Sequence, residues 1–470
     1  MRKNKTPNLI IENITIGEMA AEGKCVTKHN EKVIFVEKVA PGDVVDVRVF
    51  KSKKSFSFAE PIKFHQYSEL RATPFCQHFG VCGGCKWQHI QYDTQLFYKA
   101  KQVKDSFERI AKIPIPALQP ILASVEKQYY RNKLEYTFSN NRWFTKEEMQ
   151  QGEILERNAL GFHIPEMFDK IVDIQHCYLQ GDSSNEIRLE IKRFALEHKL
   201  TFFDIRQQHG LLRILIVRTA TSTSQTMVVV QFGENNPEAI AMVMQHIATT
   251  FPQINSLQYV INTKGNDTFH DLEVVCFKGL PYIVERMEQL EFRVGAKSFY
   301  QTNSIQAYEL YKITREFAQL QGNELVYDLY TGTGTIANFI ASACRKVIGL
   351  EYVPAAIEDA KVNAKINNID NADFFAGDMK DLLNDDFVAV HGKPDVVITD
   401  PPRAGMHEDV IVMLLKMLPE KIVYVSCNPA TQARDAALLH AYYDVVLIRP
   451  VDMFPHTHHV ENVILMQLRK

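Results

Sequence analysis

From residue 325 to the end, the chain alternates short apolar runs with helix-like stretches, and this alternation restricts its fold more than any other feature. The runs are 325–329, 347–351, 372–375, 396–399, 422–425, 445–448 and 463–466. Strand and helix in alternation predict a parallel sheet with crossover helices, an α/β Rossmann-like architecture. In an open sheet of this kind, ligands bind beyond the carboxyl ends of the strands. Three polar junctions are expected at that edge. Cys427 follows the run 422–425 in Tyr424-Val-Ser-Cys427-Asn-Pro-Ala-Thr. Asp400 follows 396–399 in Asp400-Pro-Pro-Arg-Ala-Gly405, and Glu461 closes Met453-Phe-Pro-His-Thr-His-His-Val-Glu461 near the C-terminus. A thiol and two acids converging on one edge suit covalent catalysis with acid and base help.

The first of these strands runs into a glycine loop, Val326-Tyr-Asp328-Leu-Tyr330-Thr-Gly332-Thr-Gly334-Thr. Glycine permits the turn and a close approach of backbone to ligand. Glu351 ends the next strand, where an acid that binds a ribose belongs. The third glycine of the dinucleotide fingerprint is absent, with Ala337 in its place, and nothing else suggests a pyrophosphate. An adenosine ligand without phosphates, S-adenosylmethionine, therefore fits better than a nicotinamide dinucleotide. Asp378, after the third strand, is expected to meet the adenine.

At 470 residues the chain calls for two or three domains. Residues 1–65 read as all-β, with Leu9-Ile-Ile-Glu-Asn-Ile-Thr-Ile, Lys32-Val-Ile-Phe-Val-Glu and Val44-Val-Asp-Val-Arg-Val-Phe as strands and Pro41-Gly42 as a turn. The net charge of -3 gives no sign of a nucleic-acid partner. Two basic knots, Arg2-Lys-Asn-Lys5 and Lys51-Ser-Lys-Lys54, do so locally. A small barrel with basic edges fits an RNA backbone. Residues 66–290 read as an α+β domain with helix-like pieces near 184–198 and 236–250. A stretch from Tyr92 to Lys112 with apolar residues at Leu96, Ala100, Val103, Phe107 and Ile110 reads as a packing helix and nothing more. Residues 291–470 form the α/β unit.

Cys76-Gln-His-Phe-Gly-Val-Cys82-Gly-Gly-Cys85 is the densest cysteine cluster, and three thiols at this spacing suit one metal centre. Cys177 is the candidate fourth ligand. Thiolate-only ligation fits zinc or an iron–sulfur cluster, and the solitary fourth ligand tilts towards the cluster. No apolar run reaches the length of a membrane span and the polar N-terminus does not read as a signal peptide, so a cytoplasmic protein is expected. There, thiols stay free, metal-bound or catalytic. The histidines 456, 458 and 459 lack a complete ligand set.

Taken together, Ser298-Phe-Tyr-Gln301-Thr-Asn303, the Asp328 glycine loop, the Asp400 and Cys427 motifs and Asp452-Met-Phe-Pro-His-Thr-His-His-Val-Glu461 resemble the RNA uracil-C5 methyltransferases. The N-terminal segment resembles the TRAM module, an RNA-binding barrel, through Gly23-Lys-Cys-Val, Val33-Ile-Phe-Val and Ala40-Pro-Gly-Asp-Val-Val. Barrel and cysteines together resemble the branch that modifies 23S ribosomal RNA. The sequence departs from many relatives at Thr331, where they carry cysteine, and His456, where they carry glutamine.

The resemblance implies S-adenosylmethionine as methyl donor and a 4Fe-4S cluster on Cys76, Cys82, Cys85 and Cys177. It also implies a covalent bond from Cys427 to uracil C6 and Glu461 as acceptor of the C5 proton. Asp400 would touch the base edge or the cofactor, Gln301, Tyr330 and Gly332 the cofactor, and Phe299 would stack on a uridine swung out of its loop. A monomer is expected. The same chemistry on transfer RNA stays open, as does an RNA-binding or assembly protein with a relic fold. The latter predicts broken catalytic motifs, and all are intact.

Overall fold

The structure, a computed structural model, describes residues 9–150 and 156–470. The basic knot at residues 2–5 lies outside the described residues. The N-terminal strands Leu9–Thr15, Cys25–His29, Lys32–Val36, Val44–Ser52 and Phe56–Gln66 form one sheet in the order first, fourth, fifth, third, second. Its two edges meet beyond the first strand. There Gly17 donates its amide to the Val26 carbonyl at 2.9 Å, and the Val26 amide bonds the Glu18 carbonyl at 2.8 Å. Val45, Val47 and Val49 point inward with Ile34, Val36 and Ala59, while Asp46, Arg48 and Phe50 between them point out, as the two-residue strand period dictates.

A seven-stranded sheet follows, in the order Val275–Gly279, Ser256–Ile261, Thr226–Phe232, Leu212–Thr219, Lys133–Ser139, Ala159–Ile164, Met167–Asp173. Helices Asp182–Glu197 and Pro237–Thr250 cover one face through Ile187, Ile191, Val243 and Ile247, packed on Leu212, Leu215 and Val217. The alternate residues Ile214 and Ile216 face the other way. They share a core with the hairpin Tyr282–Met287/Leu290–Gly295, the helix Ser304–Ala318 and one face of the last sheet. That strand is therefore apolar on both sides, and the middle sheet is built into the C-terminal unit.

Each of the seven runs from residue 325 onward is a strand: Leu325–Leu329, Lys346–Glu351, Ala372–Ala376, Val396–Thr399, Lys421–Ser426, Tyr443–Val451 and Glu461–Leu468. Their order is third, second, first, fourth, fifth, seventh, sixth. The first five are parallel. The expectation of a wholly parallel sheet fails at the end, because the seventh strand pairs antiparallel with both the fifth and the sixth. The link 452–460 holds no helix, and a parallel return needs a crossover of about a dozen residues or more. A short link can only send the chain back. The helix Tyr92–Ser106, continued by the turn Phe107–Ala111, packs as its apolar spacing predicts. Its Val103 and Phe107 lie in the core of the last sheet with Tyr424, Ala433 and Val445.

Candidate active site

The register of three adjacent strands assembles the site. Thr399 stands beside Tyr424 in the parallel pair, and Ser426 faces Asn462 in the antiparallel one. The next residues along are Asp400, Cys427 and Glu461, which places all three on one sheet edge. Gln432 fastens that edge. Fully buried on the helix Pro429–Leu439, it donates to the carbonyls of Tyr424 at 2.8 Å and Asn462 at 3.1 Å and accepts from the Asn462 side chain at 2.7 Å. Asn428 caps the same helix through Ala430 and reaches the Arg403 carbonyl at 2.9 Å. The Asp400 loop is held from below by buried Asp435, which accepts from the Met406 amide at 2.9 Å and the Tyr424 hydroxyl at 2.8 Å. Gly405 is required there: its φ is 82°, and a Cβ would lie 2.6 Å from Asp435.

Burial governs the electrostatics. It pushes Glu461 up to about 8, with the nearby Asp400 charge adding to the shift and Arg403 opposing it. Burial alone takes Asp400 up to about 7. Cys427 rises to about 11 through burial, then through Glu461 and Asp400, with Arg403 again opposing. Asp328 rises to about 7 for the same first reason, and one of its oxygens is buried without a partner. Acids whose ionisation burial disfavours would gain from a cation placed among them.

The glycine loop lies on the same side. Tyr330, Gly332 and Gly334 have φ of 63°, 57° and 74°. Gly334 must be glycine because a Cβ would meet Ala360 at 2.8 Å and the Phe374 ring at 3.0 Å, whereas the space over Gly332 is open. Glu351 accepts from the Gly332 amide at 3.1 Å and from the Val353 amide at 3.0 Å. Asp378 caps the short helix Met379–Leu382 through the Lys380 amide at 3.3 Å, next to Gly377, whose amide bonds the Glu351 carbonyl. The Phe299 carbonyl accepts from Thr333 at 3.3 Å, which brings the Ser298–Asn303 segment against the loop, and the Phe299 ring is 68% exposed. Gln301 is half-buried beside it. Asn303 caps the helix Ser304–Ala318 and donates to the Met453 carbonyl at 2.9 Å, which ties this motif to the segment leading to Glu461.

Sequence reasoning missed Arg403, Tyr311, Gln432 and the role of Asp328. Tyr311, buried on the helix Ser304–Ala318, feels Asp400, Asp328 and Glu461 together. Arg403 stands inside the Asp400 motif, and a cation so near a buried thiol was the signal to read.

Cys76, Cys82, Cys85 and Cys177 line one cavity of about 570 Å³ with His78, Arg131 and Tyr178. Cys82 is pushed up to about 12 and Cys85 to about 11, first by burial and then by neighbouring thiols of the set. Among the described residues, no three His, Cys, Asp or Glu side chains are arranged to hold a single metal ion. A tetrahedral zinc, with sulfurs at about 2.3 Å, needs its thiols roughly 4 Å apart. The four thiols share this cavity, and no metal centre is shown on them.

Residues 282–469 match the tRNA (uracil-5-)-methyltransferase family and residues 11–62 the TRAM domain. A Bacteroides thetaiotaomicron protein described as an uncharacterized RNA methyltransferase is 58% identical over 455 residues, spanning 96% of this chain and 100% of that one. A Porphyromonas gingivalis protein of the same description is 56% identical, spanning 96% and 98%. Among solved structures, the Pyrococcus abyssi tRNA (uracil-54, C5)-methyltransferase in complex with S-adenosyl-L-homocysteine is 31% identical, with a TM-score of 0.75 over 97% of this chain and 100% of that one. With its thiol and two carboxylates gathered over a glycine loop, the chain belongs to the S-adenosylmethionine-dependent RNA uracil-C5 methyltransferases.

Proposed function

We propose that the enzyme methylates C5 of a uridine in 23S ribosomal RNA through a covalent bond between Cys427 and C6 of the base. The observation that carries the chemistry is the meeting of Cys427, Asp400 and Glu461 on adjacent strand ends. The choice of 23S ribosomal RNA rests on the resemblance of barrel and cysteines to that branch. Uracil C5 is a poor nucleophile. Addition of the Cys427 thiolate to C6 makes C4–C5 an enolate. S-adenosylmethionine supplies the sulfonium methyl that C5 then takes, leaving S-adenosylhomocysteine. Glu461 accepts the C5 proton, the C5–C6 double bond re-forms, and the thiolate leaves. Asp400 orients the base edge or the cofactor. Arg403, the one charged group opposing the rise of the Cys427 pKa, favours the thiolate. Glu461 must be ionised to act, and a cationic cofactor in the pocket favours that state. Gln301, Tyr330, Gly332, Glu351 and Asp378 form the cofactor's cradle, and Phe299 stacks on the extruded base.

In this reading Cys76, Cys82, Cys85 and Cys177 hold a 4Fe-4S cluster, for which their shared cavity is the support. Residues 1–65 grip RNA, 66–290 carry the cluster, and 291–470 perform the transfer, in a cytoplasmic monomer. No described helix is long and apolar enough to cross a membrane.

Transfer RNA is the second reading, and one observation favours it. The transfer-RNA enzyme of Pyrococcus abyssi matches 97% of this chain, so the presence of barrel and middle sheet does not by itself separate the two substrates. The test uses 23S and transfer-RNA fragments bearing 5-fluorouridine. Fluorine cannot leave as a proton, so a protein–RNA adduct should persist on a denaturing gel and vanish in Cys427→Ala. The RNA that forms it names the substrate. No adduct with either RNA, from protein that binds the cofactor, would sink the covalent mechanism.

A further inference from the structure

The segment 452–456 that leads to Glu461 is held from the far side of the chain. Asp452 and Lys99 form an ion pair of 2.5 Å in which both side chains are fully shielded from solvent. Lys99 also donates to the Phe454 carbonyl at 3.0 Å. The Tyr92 hydroxyl donates to the other Asp452 oxygen at 2.8 Å. One turn away on the helix Tyr92–Ser106, Gln95 accepts from the His456 amide at 2.9 Å. A buried ion pair is weak evidence of stabilisation, since desolvation offsets much of the attraction and apolar residues often serve as well. Its distinguishing property is directional. A lysine that bonds a carboxylate and a main-chain carbonyl two residues on fixes the path of that stretch in one register.

We propose that Lys99 is a positioning residue for the methyl transfer: through Asp452 and Phe454 it sets the strand start that carries Glu461 opposite Cys427. The proposal rests on the reading of Glu461 as proton acceptor and deepens it. Formation of the Cys427–C6 bond and methyl transfer use the neighbouring strand ends and do not need Glu461. Removal of the C5 proton does. Loss of the Lys99 bracket therefore acts on the second half of the reaction and leaves a methylated adduct unresolved.

Removing Lys99 alone leaves Asp452 buried without its partner, so the informative variant is the double change Lys99→Met with Asp452→Asn. Asp452→Asn alone is the companion. It keeps the shape of the side chain but leaves the Lys99 ammonium buried without its counter-charge and faces the Tyr92 hydroxyl with a donor. Its effect is therefore read only in protein whose fold is intact by circular dichroism. Each is incubated with S-adenosylmethionine and RNA of ordinary uridine, then quenched in denaturant and run on a gel. Cofactor and RNA affinities are measured alongside.

Affinities should stay within about twofold, while turnover falls by up to about 100-fold, the scale of an ångström's misplacement. Adduct with ordinary uridine should accumulate where the wild type shows none. Unchanged turnover overturns the proposal, and so does a loss of adduct formation in step with turnover. Glu461→Gln is the control: if it too fails to accumulate adduct, the proton-acceptor reading is at fault. If it accumulates adduct and the Lys99 and Asp452 variants do not, only the positioning proposal falls.

Discussion

Asp328, Asp400 and Glu461 are acids that the fold prefers neutral, at about 7, 7 and 8, against about 4 in an unfolded chain. Below pH 4 both states carry these protons. Between there and 8 the unfolded chain gives them up while the folded one keeps them, so the contribution of these groups to stability falls as pH rises through that window. The thermal midpoint of the ligand-free protein should drop across it, and less steeply in Glu461→Gln. An equal slope in both would exclude Glu461 from the effect. A cation in the pocket reverses the preference, so S-adenosylmethionine should bind with release of protons at pH 7. Calorimetry in buffers of different ionisation heat reads that number directly, and zero release would mean that the cation does not approach these acids. Sequence spacing revealed which strand ends bear the thiol and the acids. It could not reveal their protonation, because burial of Glu461 comes from side chains distributed over the chain.

At the scale of elements, the apolar runs of the last sheet were legible because each is short, apolar and followed by a polar turn. The direction of the last strand was legible only through the length of link 452–460. The face of the helix Tyr92–Ser106 was legible only in part. Of the apolar positions Leu96, Ala100, Val103, Phe107 and Ile110, Val103 and Phe107 are fully buried but Ile110 is 47% exposed, and the buried face also carries Gln95 and Lys99. Polar residues on a buried face make sense only once their partners are known, and Asp452 lies 353 positions away. Gln432 is of the same kind. It joins the strand before Cys427 to the strand beginning at Glu461, so Gln432→Leu should leave the Tyr424 and Asn462 groups unpaired. We expect a loss of about 2 kcal/mol or more by denaturant unfolding, with a fall in turnover at unchanged cofactor affinity. Full turnover in that variant would show that the edge holds its register without the clamp.

Across the whole molecule, the middle and C-terminal sheets share one core, while the barrel keeps its own. Its outer surface shows what the all-β pattern alone did not. Phe35, Phe50 and Phe58 stack at centroid distances of 5.6 and 6.4 Å, with Phe56 edge-on at 5.5 Å from Phe58. Lys53 stands 5.1 Å from the Phe56 ring, and Lys24 and Lys51 stand 5.4 and 5.7 Å from that of Phe58. The strand period put these rings outside. Only the sheet order, which sets the third strand beside the fifth and the fifth beside the fourth, gathered them with lysines from separate stretches. Aromatic faces beside ammonium groups suit single-stranded RNA, with bases on the rings and phosphates on the lysines. Changing Lys51 and Lys53 to alanine should weaken binding to the full RNA substrate. It should also flatten the dependence of log affinity on log salt by about one for each phosphate that is no longer neutralised. Methyl transfer to a short uridine loop that ends before the barrel should keep its maximal rate, since neither lysine approaches the catalytic edge. An unchanged salt slope would remove this face from the RNA path. A fall in maximal rate on the short loop would mean that the barrel acts on the catalytic sheet itself, through the packing of Gly23 on His458, three residues before Glu461.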